Sequence, residues 1–274
     1  MPIEELLQTI DNFSFQLNKL RMEILELSQM HSIKNSTHQL IAFRELLDDW
    51  PEAVPQNLLC DQTSESDKIS RAEAILEIIQ SFNVQPKNKT CLDYGCGEGH
   101  LVKVMKNTAK FSYGYEIGDN KEEIEKHAPY DIVVLYDVLD HAINEKPVNI
   151  LNNIKKLIHK KSIVFIRFHP WCCRHGAHLY QKINKAFVQL FFSKEELIEM
   201  GCEIMPTIEI IYPIRTYKQW IKDAGFQIIN HKIDYSPLET FFQTEPFIGK
   251  IKEVWGTTGF NYMQTNFADV VLSL

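Results

Sequence analysis

The sequence predicts an α/β fold, a doubly wound sheet with helices on both faces, on the strength of two observations. The first is the run Cys91-Leu-Asp-Tyr-Gly-Cys-Gly-Glu-Gly-His100. An apolar strand ending at Tyr94 meets a turn containing Gly95, Gly97 and Gly99, followed by the helical spacing Leu101, Val102, Val104, Met105. The second is Tyr113-Gly-Tyr-Glu116, an apolar second strand whose closing acid lies 17 residues beyond Gly99. Strand, glycine turn, helix, then an acid ending the next strand is the opening of a doubly wound nucleotide fold. Glycine in the turn permits positive φ and close approach of the backbone to a ligand. A dinucleotide turn wants Gly-x-Gly-x-x-Gly, and counting from Gly95 puts His100 in the third glycine position, which argues against that cofactor class.

Asp93, two residues before the first glycine, points to another cofactor. The run from Leu92 to Gly99 resembles motif I of class I S-adenosylmethionine-dependent methyltransferases. Three further stretches are similar to that family: Tyr130 to His141 to its fourth strand and the turn after it, Ser162 to His169 to its fifth strand, and Thr216 to Phe226 to the helix and turn before its sixth. The likeness spans about Ile69 to Leu274. It implies a Rossmann-like, mostly parallel sheet with an antiparallel last strand, and S-adenosyl-L-methionine as cofactor. It places Gly95 and Gly97, with Cys96 between them, against the methionine part, Asp93 near its ammonium group and Glu116 on the ribose hydroxyls. Asp137 and Val138, after the fourth strand, are the next residues able to line the cofactor.

A chain of 274 residues with 45% apolar content can bury one sizeable core and carry an extension. Net charge of −7 offers no general attraction to a polyanion, so extended nucleic-acid binding is disfavoured. Six cysteines without disulfide-framework or paired C-x-x-C spacing fit a reducing cytosol. The first residues lack the pattern of a signal peptide and no apolar run approaches ~20 residues, so a cytoplasmic chain with no membrane partner is expected.

In chain order, Ile3, Leu6, Ile10, Phe13, Leu17, Leu20, Ile24 and Leu27 form a four-heptad seam. It predicts a helix over 3–30 that either self-associates as a homodimer through residues 3–27 or packs within its own chain. A second helix is expected over 37–49, closing an extension of residues 1–50, with a polar linker over 51–67 and the methyltransferase domain over 68–274. Ile69, Ala72, Ile75, Leu76 and Ile79 form an amphipathic helix before the first strand. Only 14 residues separate Glu116 from Asp131, enough for a short helix over Asn120 to Lys126, so the family's usual third strand is expected to be absent or drastically shortened. Leu179 to Leu190 reads as helical, and Ser193-Lys-Glu-Glu196 as a capping box opening another helix. Strands are expected at Phe226 to Ile233 and Phe267 to Leu274, joined by an aromatic-rich connection that reads as a packed cover or substrate wall.

Methyl transfer asks an enzyme to exclude water, align the acceptor and remove its proton. His169 and His141, with Asp140 beside the latter, are expected near the ends of the strands where that proton would leave. His169 reads as a general base or acceptor-orienting group, or as a histidine that only bonds its loop. His141 reads as structural or cofactor-adjacent, with Asp140 and His175 as alternative bases. In the loop, Trp171, Arg174, His175 and Tyr180 are candidate acceptor contacts, Arg174 alternatively forming a structural ion pair. Cys172, Cys173, His175 and His178 are ligand types, but adjacent cysteines and His-x-x-His match no standard structural zinc spacing, so no metal is expected. The expected function is methylation of oxygen or nitrogen on a small molecule or sugar. A nucleic-acid or protein methyltransferase and a degenerate fold with a scaffold role stand as alternatives.

Overall fold

The computed structural model describes residues 43–55, 64–116, 118–142, 145–202 and 212–274. The chain divides after Asp49 into two units. Of the first, only residues 43–49 are described, opening on a helical turn at 43–45. The predicted heptad helix and its homodimer seam lie outside the described residues.

Helix α1 (Glu65–Ser81) starts where the Ser64 side chain accepts the Asp67 amide, three residues inside the segment expected to be a linker. The other end of that segment is also built into the second unit. The Trp50 indole donates to the Ala186 carbonyl at 2.6 Å, and Asn184 bonds both polar groups of the Val54 backbone. Then follow β1 (Thr90–Tyr94), α2 (His100–Met105), β2 (Phe111–Tyr115), α3 (Lys121–Lys126), β3 (Tyr130–Tyr136), α4 (Pro147–Lys156) and β4 (Ile158–Phe168). After them come α5 (Val188–Phe191), α6 (Lys194–Glu199), α7 (Ile214–Asp223), β5 (Gln227–Tyr235), α8 (Phe247–Trp255), α9 (Gly259–Met263) and β6 (Thr265–Ser273).

The strands form one sheet in the order β2-β1-β3-β4-β6-β5. The first four run parallel, and β6 lies antiparallel between β4 and β5. This is the Rossmann-like, mostly parallel sheet with an antiparallel last strand that the sequence predicts. Side chains alternate between its faces, which explains the near-continuous apolar strands. Ile132 and Val134 pack with Ala72, Leu76 and Ile79 of α1 and Leu101 and Met105 of α2. Val133 and Leu135 pack on the opposite face with Ile150, Leu151 and Ile154 of α4 and Tyr217 and Ile221 of α7. Both faces are therefore covered. Among the described residues no strand lies beyond β2, and α3 alone joins β2 to β3, as the short interval after Glu116 predicts.

The capping box forms at Ser193 and Glu196. The helix expected over Leu179 to Leu190 does not. A 3-10 turn, Gly176–Gln181, contains Ala177 and His178 at φ 60° and 51°, and Phe187, also at φ 60°, precedes α5. The backbone between them bonds to residues distant in sequence, the Ala186 amide to the Pro51 carbonyl at 2.8 Å, so the tertiary contact overrides local propensity. The aromatic connection is a packed cover. Phe242 and Phe247 are fully buried against Trp50, with ring centroids at 5.9 and 4.9 Å.

Candidate active site

Strand order reverses between β1 and β3, whose crossovers leave on opposite sides, and ligands bind doubly wound sheets at such switch points. A cavity of about 360 Å³ opens there, lined by Asp93, Gly95, Cys96 and Gly97 after β1, by Tyr136 and Asp137 at the end of β3, and by one face of α1. A second cavity, about 320 Å³, adjoins it and shares Arg71 and Asp137. It is lined by Asp140, His141, His169 and the loop from Trp171 to Tyr180.

The glycine turn is shaped by close packing. Gly95 sits at φ 82°, and a Cβ there would meet Val138 Cγ2 at 2.5 Å. Val138 thus backs the turn, and glycine is required for two reasons at once. The turn's amides are already used: those of Gly95 and Cys96 donate to the Tyr115 carbonyl at 2.7 and 3.1 Å, and that of Gly97 donates to Glu116 Oε2 at 2.6 Å. What the turn offers a ligand is close approach of bare backbone more than free donors. Glu116 ends β2 as expected, with its carboxylate joined to the turn.

Asp93 is 4% exposed, and burial, followed by the nearby charge of Glu116, pushes its carboxyl up to about 7. A buried carboxylate in this state calls for a cation. S-adenosylmethionine carries one in its ammonium group, so the residues present fit that cofactor, with Asp93, Gly95, Gly97 and Glu116 the groups that would hold it.

In the second cavity, His169 Nε2 lies 3.2 Å from Asp137 Oδ1 and its Nδ1 lies 3.1 Å from the Asn266 carbonyl. Asp137 Oδ1 has no hydrogen-bond partner, so its contact with His169 is an ion pair when the ring is protonated. Asp137 itself is held at φ 57°, with its amide on the Arg167 carbonyl at 3.0 Å. Asp140 is 2% exposed, and burial first, then Asp137, raises its carboxyl to about 7. His141 stacks on His178 with centroids 5.4 Å apart. Burial lowers the basicity of His141, and brings His175 and His178 down to about 4, so these rings are neutral at pH 7. Trp171, 2% exposed, donates its indole N–H to the Asp140 carbonyl and packs edge-on to His141 and His178. Tyr180 Oη lies 3.3 Å from His178 Nδ1.

Of the expected cofactor residues, Asp93, Gly95, Cys96, Gly97 and Asp137 line the first cavity, while Glu116 bonds the Gly97 amide and Val138 packs under Gly95 without lining it. The expected catalytic residues His169, His141 and Asp140 line the second, adjoining cavity. His141 belongs to the second cavity and not to the cofactor side. Arg174 lines neither: its guanidinium is committed to Glu239 and to the carbonyls of Glu52 and Ala53, the structural role. Sequence reasoning missed Lys68, Arg71, His178 as a cavity wall, and Tyr136. The signal for the first two was the spacing Lys68, Arg71, Ala72, Ile75, which places one face of α1 along the first cavity.

Fold and site define a doubly wound α/β protein with a ligand site at its switch point and a histidine-rich cavity beside it. A family model described as a methyltransferase domain matches residues 68–231, and the chain belongs to that methyltransferase family. Similar solved structures include an S-adenosylmethionine-dependent methyltransferase from Archaeoglobus fulgidus, with 14% identity over 74% of this chain and 94% of that one, TM-score 0.43. Another, from Mesorhizobium loti, has 11% identity over 73% and 98%, TM-score 0.44. Coclaurine N-methyltransferase, bound to N-methylheliamine and SAH, has 14% identity over 88% of each chain, TM-score 0.43. No curated protein matches the chain.

Proposed function

We propose that this methyltransferase uses S-adenosylmethionine to methylate oxygen or nitrogen of a small molecule, sugars included, held in the histidine-lined cavity. The observation that carries the reading is the adjacency of the two cavities across Asp137 and Arg71, one suited to the cofactor and one to an acceptor. When bound, the cofactor supplies a methyl group carried on a sulfonium. The chain's own part is to hold, orient and deprotonate the acceptor. Asp93 fixes the cationic head, and Glu116 reaches the ribose hydroxyls from the glycine turn. His141, His175, His178 and Trp171 wall the acceptor against water, and Tyr180 orients it. His169, paired with Asp137 and backed by Asp140, takes up the acceptor's proton.

A cavity of about 320 Å³ and the net charge of −7 support a small acceptor over a polymer. Transfer of isotope label from labelled cofactor into the small-molecule fraction of a cell extract tests this, and label found only in protein or nucleic acid would contradict it. The five free thiols among the described residues support a reducing, cytoplasmic setting, and no described helix is long and apolar enough to cross a membrane. The heptad seam supports a homodimer through residues 3–27, which light scattering of the full chain reads directly.

A further inference from the structure

Three metal-binding side chains meet in the wall of the acceptor cavity. His169 follows β4, and Cys173 and His175 come from the loop beyond it. One ligand atom of each lies within 4.8 Å of the other two. Spacing along the chain pointed away from a metal, but the fold supplies a ligand from outside the Cys-Cys and His-x-x-His pattern.

The surroundings are those of a built site. His169 Nδ1 is engaged by the Asn266 carbonyl at 3.1 Å, which requires an N–H there and leaves Nε2 as the nitrogen with a lone pair. Metal-bound histidines are oriented in this way by a carbonyl behind the ring. Nε2 faces Asp137 Oδ1 at 3.2 Å, and a lone pair beside a carboxylate favours a cation at Nε2, a proton or a metal. Asp137 Oδ1 and Asp140 Oδ1 are both buried without a hydrogen-bond partner, so two unsatisfied carboxyl oxygens border the three ligands. The loop is also fixed. Gln189 donates to the carbonyls of Trp171 and Cys173 at 3.0 and 2.8 Å, and Gly176 lies too close to Trp171 to admit a side chain.

We propose that His169 Nε2, Cys173 Sγ and an imidazole nitrogen of His175 bind one divalent transition-metal ion, Zn²⁺ above all, with an open coordination position toward the acceptor cavity. A thiolate with two imidazoles selects zinc and its neighbours over magnesium or calcium, which take oxygen ligands. Three protein ligands facing a cavity are the pattern of a catalytic zinc site, where a closed structural site uses four. Tetrahedral zinc with bonds of ~2.0–2.3 Å sets its ligand atoms about 3.5 Å apart. The cluster therefore contracts by at most about 1.3 Å on loading, within reach of side-chain rotation.

On binding, the Cys173 thiol gives its proton to solvent and the ion takes the His169 Nε2 lone pair that a proton would otherwise hold, with Asp137 beside it as an uncoordinated carboxylate. Proton uptake by His169 and coordination by His169 thus exclude each other. The next consequence rests on the methyl-transfer reading. In the loaded protein an acceptor hydroxyl at the open position would be made acidic by the ion and would give its proton to solvent without a side-chain base, while the chelated protein depends on His169.

The binding test uses neither cofactor nor acceptor, so its failure is separate from failure of the methyltransferase reading. Full-length protein, stripped with a chelator and titrated with Zn²⁺ against a chromophoric competitor, is expected to take up one ion per chain. Co²⁺ in its place is expected to give thiolate-to-cobalt charge-transfer absorption. Cys173→Ser should abolish that absorption, and His175→Ala, at a half-buried position, should weaken Zn²⁺ at least ~10-fold, the least expected for losing a metal-orienting group. Cys172→Ser should leave the absorption intact, because that sulfur faces the Tyr262 carbonyl at 3.4 Å. Circular dichroism verifies that each variant folds. Absence of uptake by the wild type, unchanged affinity in His175→Ala, or absorption that survives Cys173→Ser or vanishes in Cys172→Ser would overturn the site.

Discussion

His169 Nε2 stands 3.2 Å from Asp137 Oδ1, which ties the residue after β4 to the residue after β3 across the boundary between the two cavities. Burial alone would lower the basicity of His169, but the adjacent negative charge, that of Asp137 first, outweighs it and the net displacement is upward from 6.5. In the metal-free protein the ring therefore holds its proton to higher pH than an ordinary histidine.

The sign of the pH dependence follows. His169 accepts a proton only in its neutral form, so in chelated protein the single-turnover rate should rise with pH through a midpoint above 6.5. His169→Ala should slow that step by ~10²–10⁴ and lose the rising limb. Its cofactor affinity should be nearly unchanged, since the first cavity is built without His169. An unaltered single-turnover rate would assign the proton to another group.

Asp93 makes cofactor binding proton-linked. Its carboxyl stands at about 7 in the free protein, and a bound ammonium group favours the ionised form. Binding below pH 7 should release a proton, and affinity should rise with pH by up to ~10-fold per unit before levelling off above 7. Calorimetry in two buffers of different ionisation enthalpy measures the released proton directly. Asp93→Asn should bind more weakly and without this dependence.

Gly176 is the packing constraint under the acceptor wall. A Cβ there would fall 2.0 Å from the Trp171 carbonyl oxygen and 2.6 Å from Gln189 Nε2. Backbone cannot yield as a flexible side chain can, so Gly176→Ala should destabilise the fold by ~1–3 kcal/mol. Thermal denaturation should show a lower midpoint, and an unchanged midpoint would mean that the loop is not held as described.

The segment from Leu92 to Gly97 was legible because strand, turn and acid are close in sequence and each has a local physical signature. So was the loss of the third strand, since 14 residues cannot hold a strand and two connections. The aromatic connection was legible as a cover, but its principal partner, Trp50, was not, because that residue sits next to a segment whose composition reads as linker. The false helix over 179–190 had adequate local pattern and was overridden by tertiary bonds to residues 50–54. Arg174 looked like a substrate grip because its chemistry is that of one, while the partner that occupies it, Glu239, lies 65 residues away. The meeting of His169 with Cys173 and His175 depends on three-dimensional placement and has no counterpart in ligand spacing.

The central claim is that the cavity between β1 and β3 holds S-adenosylmethionine, and isothermal titration of the full-length protein with that compound and with its demethylated product tests it most directly. The account predicts saturable binding of both. It also predicts that Glu116→Ala weakens each by roughly tenfold to over a hundredfold, from loss of a charge-assisted contact worth ~1.5–3 kcal/mol. No heat of binding from correctly folded wild-type protein, with either ligand, would contradict it.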